Sequence, residues 1–186
     1  MLVGVIGFQG SVAEHLKMLR SCGARTVEIR APEELEGIDA LIIPGGESTH
    51  LSMELDESGL TPRVSELLRA GMPVFGTCAG AILLSKSVGG KAGKFPLLGA
   101  EIERNAYGRQ AESFEAEIEV LGLGAFPGVF IRAPVFRSAG KARVLASFRG
   151  KPVLLRQRGV LAATFHPELS GDRRLHEFFL RIAGAQ

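Results

Sequence analysis

The segment "PVFGTCAGAILL" (residues 73–84) places one cysteine at a turn between two apolar runs. The run that ends at Thr77 is typical of a buried strand, and the run that begins at Ala79 is typical of a helix. Glycines on either side of Cys78 permit a tight turn. The G-x-C-x-G pattern has the form of a nucleophile elbow, which holds a reactive side chain at the top of a sheet. By itself, the segment fits a buried structural cysteine equally well.

Strand-like and helix-like segments alternate on both sides of this turn. Apolar runs predict strands at residues 2–8, 26–30, 39–46 and 73–78. Capping and periodicity predict a helix that begins with a capping box at Ser11, a helix that begins near residue 61, and a helix at residues 79–86 that is followed by a loop at 87–96. Strands that alternate with helices favour a parallel sheet covered on both faces. The sequence therefore predicts an α/β fold of three layers, α/β/α, with a mostly parallel central sheet.

The pattern changes from about residue 97, where short strand-like segments follow one another closely. Residues 113–120, "SFEAEIEV", alternate apolar and acidic side chains, as in a strand with one face in water. We expect these segments to form an antiparallel extension of the sheet or a small second sheet, and residues 172–184 to form a final amphipathic helix. No internal repeat or linker divides the chain, so residues 1–186 are predicted to form a single domain.

Composition and charge exclude several classes of function. The net charge is +2 without a basic block, so nucleic-acid binding gains no support, and no apolar run is long enough to span a membrane. Two cysteines form neither a disulfide framework nor a metal-ligand pattern, which favours the cytoplasm and predicts no metal site. The segment "GVIGFQG" lacks the dinucleotide-binding spacing, and no cofactor is predicted.

Two further motifs give Cys78 possible chemical partners. His166 and Glu168 of "FHPEL" are two residues apart, so in an extended segment both side chains point to one side. Glu168 could then orient His166 as a base for Cys78. Gly45 and Gly46 follow an apolar strand, and their amides, with that of Ala79, are predicted to form an oxyanion site. Alone, each motif also fits an ordinary loop. However, parallel strands would place them at one sheet edge.

The residues 76–80, "GTCAG", together with "HPE" at 166–168, resemble the class I (triad) glutamine amidotransferases, which have a flavodoxin-like fold. Longer segments narrow the resemblance to the glutaminase subunits of pyridoxal 5'-phosphate synthase, over essentially the whole chain. The segments in question are "GVIGFQGSVAEH", "LIIPGGEST", "FGTCAG", "ERNAYGRQAESFEA", "VFIRAP" and "FHPEL". Of these, the fourth and fifth are specific to that subgroup.

The resemblance implies a mechanism and a set of site residues. Cys78 would attack the carboxamide of glutamine, His166 would transfer protons, and Glu168 would orient His166. The glutamine contacts that it implies are Gly46, Glu47, Ser48, Arg104, Ile131 and Arg132. It further implies that L-glutamine is hydrolysed and that ammonia passes to a synthase subunit in a hetero-oligomeric complex. Gln9 would lie near the interface with that subunit.

Two other interpretations are open at this point. The chain could be the glutaminase subunit of another synthase, such as imidazole glycerol phosphate synthase. It could also be a sensor domain that carries a cysteine but has no turnover, although such a domain has no use for the His166–Glu168 pair. His15 and His176 are interpreted as residues on helix faces, and Cys22 as a core residue.

Overall fold

The computed structural model describes residues 1–104 and 113–185, and within these ranges it contains two β-sheets and five α-helices. The strands are β1 (Leu2–Ile6), β2 (Arg25–Ile29), β3 (Ala40–Ile43), β4 (Val74–Thr77), β5 (Ser85–Val88), β6 (Lys91–Ala92), β7 (Leu98–Glu103), β8 (Ser113–Val120), β9 (Gly124–Ile131), β10 (Val135–Ser138), β11 (Arg143–Phe148), β12 (Lys151–Gln157) and β13 (Val160–Ala163). The helices are α1 (Val12–Ser21), α2 (Ser48–Glu57), α3 (Leu60–Arg69), α4 (Ala79–Leu84) and α5 (Arg174–Gly184), with short 3-10 turns at Pro32–Leu35 and Pro167–Leu169.

The larger sheet has nine strands in the order β2-β1-β3-β4-β13-β12-β11-β8-β9. The first five of these strands are parallel, and the remaining four continue the sheet in antiparallel pairs. A smaller sheet has the order β10-β7-β5-β6. The second half of the chain therefore forms both of the arrangements that were considered from the sequence, an extension of the main sheet and a separate small sheet.

Helices and the small sheet cover the two faces of the main sheet, so the predicted three-layer α/β/α architecture is confirmed. One core lies against α1 and α5 and contains Leu19 and Phe179, both fully buried. The other core contains Leu51 of α2, Val64 of α3 and Ile102 of the small sheet. Strands between these layers alternate their side chains between the two cores, which explains why they are apolar on both faces.

The antiparallel half of the main sheet curls back towards the parallel half. Four strand spacings of about 4.8 Å would separate β9 from β13 in a flat sheet. Nevertheless, the backbone N–H of His166, just after β13, donates to the carbonyl of Val129 in β9 at 2.8 Å. Rings of Phe126 and Phe130 on β9 contact Phe165 at centroid distances of 6.2 and 5.6 Å. This curl brings the end of β9 to the same edge as β13.

Four local predictions differ from the structure. The helix that begins at Ala79 ends at Leu84 instead of residue 86, because Ser85 is extended and pairs with Leu98 of β7. Strands β5 and β6 replace the loop at residues 87–96, and α2 was not predicted. Ser11 precedes α1, but its side chain makes no capping hydrogen bond. In the first case, pairing with β7 outweighs local helix propensity, and in the second, β5 and β6 pair with each other on either side of Gly89 and Gly90. Residues 105–112, part of the subgroup-specific segment, lie outside the described residues.

The fold requires a glycine where α4 crosses the sheet. A β-carbon at Gly80 would lie 2.0 Å from the carbonyl oxygen of Ile43, and one at Gly76 would lie 2.6 Å from the carbonyl carbon of Gly80. Neither neighbour is the end of a flexible side chain, so the helix itself would have to move. These glycines therefore set how closely α4 packs on β3 and β4.

We expect Gly80→Ala to lower the free energy of unfolding by more than about 3 kcal/mol, because the added carbon meets rigid backbone. Urea denaturation followed by circular dichroism measures the change. Gly184→Ala is a suitable control, since a β-carbon there meets only Met1 at 3.5 Å. It should shift stability by no more than about 1 kcal/mol. Equal stability of the Gly80 variant and the wild type would contradict this view of the packing.

Candidate active site

Three neighbouring parallel strands end at one edge of the main sheet, and each is followed by a predicted site residue. Gly45 follows β3, Cys78 follows β4 and His166 follows β13. The strands lie side by side in the order β3-β4-β13, so their carboxyl ends meet. Ligands of open α/β sheets bind at such an edge. The structure thus brings together the motifs that the sequence separates by as many as 121 residues (166 − 45 = 121).

Cys78 occupies a strained turn between β4 and α4. Its backbone has φ 48° and ψ −101°, a conformation with positive φ that residues other than glycine rarely adopt. The turn is held by a hydrogen bond from the Cys78 N–H to the carbonyl of Ala163 in β13 at 2.8 Å. Such strain at a strand end is typical of a nucleophile elbow. The residue is 7% exposed and lines a cavity.

His166 is oriented by a buried carboxylate. Its Nδ1 lies 2.8 Å from Oε1 of Glu168, and both side chains are nearly inaccessible to solvent. Burial by itself would lower the pKa of His166, but a hydrogen bond with Cys78 and the contact with Glu168 raise it to about 10. Burial would raise the pKa of Glu168, but His15 and His166 outweigh it and lower this pKa to about 2. The imidazolium–carboxylate pair is therefore the stable form at neutral pH.

The Gly45–Gly46 loop lies directly on the Cys78–His166 pair. A β-carbon at Gly45 would lie 2.4 Å from Cε1 of His166 and 3.4 Å from Cβ of Cys78. Gly46 has φ +138°, which favours glycine. Gln9, after β1, holds the loop from the other side, because its Oε1 accepts from the N–H of Glu47 at 3.0 Å. No side chain could replace Gly45 without displacing the histidine.

A cavity of about 500 Å³ opens in front of Cys78 and His166. All six residues that the resemblance implies for glutamine binding line it, together with Cys78 and His166: Gly46, Glu47, Ser48, Arg104, Ile131 and Arg132. Gly45 and Ala79, predicted for the oxyanion site, are buried beside this lining, Ala79 as the first residue of α4. The volume is within the range of small-molecule sites.

Two polar residues of the cavity lining, Glu47 and Arg104, already form hydrogen bonds with other groups of the protein. The Glu47 carboxylate caps α2, accepting from the N–H groups of His50 at 2.7 Å and Thr49 at 3.1 Å, and these bonds with the nearby Arg104 lower its pKa. Arg104 donates to the Thr49 hydroxyl at 2.8 Å. Arg132 has φ +42°, so a strained backbone presents it at the end of β9. A carboxylate has about four acceptor positions, so Glu47 retains capacity for a ligand.

Two histidines near the site were not assigned a role from the sequence. His15 on α1 and His176 on α5 are fully buried, with Nδ1 of His15 3.0 Å from Nε2 of His176. Nε2 of His15 lies 3.2 Å from Oγ1 of Thr77 and 3.4 Å from Oε2 of Glu168. Burial lowers the pKa of His15, and it lowers the pKa of His176 to about 3. Their positions on the same helix faces as Leu19 and Phe179 were the available signal of burial.

Within residues 1–104 and 113–185, no group of three or more His, Cys, Asp or Glu side chains is arranged to hold a metal ion. None of the helices in those ranges has the length and hydrophobicity that crossing a bilayer requires.

Comparison with known proteins gives the class and then the family. A solved structure described as "Crystal structure of glutamine amidotransferase" is 49% identical and superposes with a TM-score of 0.92, with 98% of each chain covered. The fold is therefore that of a glutamine amidotransferase. The model of the SNO glutamine amidotransferase family matches residues 5–184. The chain belongs to this family and is a glutamine amidotransferase enzyme.

Curated relatives agree with the family assignment. A protein of Pelotomaculum thermopropionicum is 50% identical, and the alignment covers 97% of this chain and 94% of the relative. Another, from Thermus thermophilus, is 50% identical over 98% of both chains. Both are named "Pyridoxal 5'-phosphate synthase subunit PdxT". The resemblance seen in the sequence motifs is thereby confirmed.

The lowered pKa of His176 makes stability depend on pH. The unfolded chain binds a proton at this side chain near pH 6.5, but the folded chain does so only near pH 3. Stability should therefore fall as the pH drops below about 6.5. His176→Gln keeps an Nε2–H donor but does not titrate. It should reduce the slope of unfolding free energy between pH 6 and 5 by up to about 1.4 kcal/mol per pH unit.

Urea titrations at several pH values measure this slope. Phe179→Leu, at a buried residue of the same helix that does not titrate, is the matched control and should lower stability without changing the slope. If His176→Gln also kept the wild-type slope, the buried neutral state of His176 would be wrong.

Proposed function

We propose that the chain, as one glutaminase domain over residues 1–186, hydrolyses L-glutamine to L-glutamate and ammonia through Cys78, His166 and Glu168. One observation carries the proposal: a strained cysteine, a buried His–Glu pair and a glycine loop converge at the mouth of one cavity. Neither a structural cysteine nor a surface loop requires this convergence. A sensor domain without turnover would also have no use for a histidine whose pKa is raised to about 10.

The geometry supports a two-step reaction with a thioester intermediate. The Cys78 sulfur attacks the side-chain carbonyl carbon of glutamine, and the amides of Gly45, Gly46 and Ala79 would stabilise the resulting oxyanion. His166, held as imidazolium, gives its proton to the departing nitrogen, and ammonia leaves. Water then attacks the glutamyl thioester while His166 takes up one of its protons, and the C–S bond breaks to release glutamate and restore the Cys78–His166 pair.

The cavity lining fits the charges of an amino acid. Arg104 and Arg132 are suited to the α-carboxylate, because guanidinium groups bind carboxylates through paired hydrogen bonds. The remaining acceptor positions of Glu47 suit the α-ammonium. Gly46, Ser48 and Ile131 line the same cavity and would add backbone and uncharged side-chain contacts. The substrate side chain would then point towards Cys78.

The ammonia acceptor is inferred from the relatives. Because two 50% identical proteins are named subunits of pyridoxal 5'-phosphate synthase, we propose that ammonia passes to a synthase subunit that makes pyridoxal 5'-phosphate. A glutaminase for another synthase, such as imidazole glycerol phosphate synthase, is the second candidate, and the "VFIRAP" segment at 129–134 favours the first. The cytoplasm is the proposed compartment, since both cysteines are free thiols.

Replacing Cys78 with Ala should abolish glutamine hydrolysis, with a fall in kcat of at least about a thousandfold, because no thioester can form. Enzymatic detection of released glutamate measures the rate. The chain supplies its own control in Cys22, which is partly exposed at the end of α1 and is not among the residues that line the cavity. Cys22→Ala should retain activity. Survival of hydrolysis in the Cys78 variant would remove Cys78 as nucleophile.

A diazo ketone analogue of glutamine, 6-diazo-5-oxo-norleucine, tests the same assignment without turnover. It should alkylate Cys78 and leave Cys22 unmodified, because only the former faces a glutamine-sized cavity. Mass spectrometry of proteolytic peptides identifies which cysteine is alkylated. Equal labelling of both thiols would favour the sensor interpretation.

The Gly45–Gly46 peptide offers a point of control by the synthase. A small rotation of this peptide would turn an N–H group towards the oxyanion or away from it. Gln9 can influence this rotation, because it binds the N–H of the next residue, Glu47. We therefore expect low glutaminase turnover by the isolated chain and a rise of at least about tenfold with the synthase subunit. The imidazole glycerol phosphate synthase partner serves as the control and should give no rise. Equal rates with and without the synthase would refute gating.

A further inference from the structure

One oxygen of the Glu168 carboxylate, Oε2, takes no part in the proposed mechanism. Oε1 of Glu168 is bound by His166, but Oε2 has no hydrogen-bond partner among the described residues, although it is buried. A buried carboxylate oxygen without a donor is costly. The nearest candidate donor is Nε2 of His15, at 3.4 Å. Hydrogen bonds of catalytic groups are often long without substrate and shorten in the complex.

The proton positions on the two buried histidines follow from their contacts. Each ring is neutral and carries one proton, since burial disfavours the charged form. If His15 donated to His176 from Nδ1, its bare Nε2 would face the carboxylate of Glu168. In addition, the N–H at Nδ1 of His176 would be a buried donor with no partner in the part of the chain that the structure describes. Both consequences are unfavourable.

The opposite arrangement removes both problems. His176 donates from Nε2 to Nδ1 of His15, and its own Nδ1 is then an unpaired acceptor, which costs less than an unpaired donor. The proton of His15 is then on Nε2, where it faces the Thr77 hydroxyl at 3.2 Å and Oε2 of Glu168. In this arrangement His176 donates to His15, and His15 in turn directs its N–H towards Oε2 of Glu168. The carboxylate then has a donor on each side, His166 at Oε1 and His15 at Oε2.

We propose that His15 is a positioning residue for the glutaminase reaction. It fixes the position of the Glu168 carboxylate relative to the turn that carries Cys78. It contacts the free oxygen of Glu168 and the hydroxyl of Thr77, the residue before Cys78. His176 fixes the tautomer in which His15 can make these contacts. The inference rests on the proposed function, because it assigns a role towards Glu168 as the group that orients His166.

Substitutions at His15 separate donation from packing. His15→Leu keeps an apolar side chain of moderate size but removes the Nε2 donor, whereas His15→Gln places an amide N–H near the same position. We expect kcat to fall about ten- to hundredfold in His15→Leu, measured with the synthase subunit present, because His166 loses its fixed orientation. KM should change less than about threefold, since His15 does not line the cavity. His15→Gln should recover most of the loss.

A control for simple destabilisation is available on the same helix. Leu19→Ala opens a cavity one helical turn from His15 on the same face of α1, so it should lower the unfolding midpoint while kcat stays near the wild-type value. All assays are made below the unfolding transition of each variant. A kcat of His15→Leu within twofold of the wild type, or an equal loss in Leu19→Ala, would overturn the proposal.

Nuclear magnetic resonance of histidine labelled with nitrogen-15 tests the tautomers directly and needs no activity. The wild type should show protonated Nε2 and bare Nδ1 for both His15 and His176, assigned through single substitutions of the four histidines. A proton on Nδ1 of His15 would overturn the proposal, even if His15→Leu did not fold. Persistent hydrolysis by Cys78→Ala, by contrast, would refute the proposed function and leave the tautomer result intact.

Discussion

The close approach of α4 to the strands beneath it is the constraint on which the rest of the site depends. Gly80 brings its backbone so near the carbonyl of Ile43 that no side chain fits between them. This contact fixes the start of α4, and the start of α4 fixes the strained turn at Cys78. Because the same turn is tied to Ala163 of β13, the cysteine is placed relative to the segment that carries His166.

Burial of charge is the second feature that shapes the site. Glu168 is ionised in a region that water does not reach, and such a group is tolerated only when donors surround it. His166, which begins the 3-10 turn that carries Glu168, lies with its Nδ1 2.8 Å from Oε1, and Nε2 of His15 on α1 lies 3.4 Å from Oε2. The orientation of His166 therefore depends on how α1 and α5 pack near Glu168, as well as on the direct neighbours of His166.

The cavity combines residues from both halves of the fold. Gly46, Glu47 and Ser48 come from the loop after β3 and the start of α2, whereas Ile131 and Arg132 come from the end of β9. The antiparallel extension reaches the parallel half only because it curls. An α/β half alone would carry the cysteine and its loop but would lack one wall of the cavity. The segment "VFIRAP", which carries part of the family resemblance in the second half of the chain, therefore contributes residues to the cavity lining, among them Ile131 and Arg132.

The sequence was informative where local pattern decides structure. Apolar runs located β1, β3 and β4 to within two or three residues, and glycine spacing located the elbow. It was misleading where distant pairing decides, as at Ser85, whose extended backbone depends on β7. It gave no role to His15 and His176, because a helical face shows that a residue points inward but not which group it meets. These contacts join residues as many as 161 positions apart.

By itself, the sequence predicted the fold class and the family, which are confirmed, and it singled out Cys78, His166 and Glu168 as candidate catalytic residues, because these depend on short motifs with fixed backbone requirements. Only the tertiary structure decided that the six predicted glutamine contacts share one cavity, that Glu47 already caps α2, and that two buried histidines stand behind Glu168. The physical reason is that burial, hydrogen-bond partners and pKa values are properties of surroundings, and surroundings are assembled from distant parts of the chain.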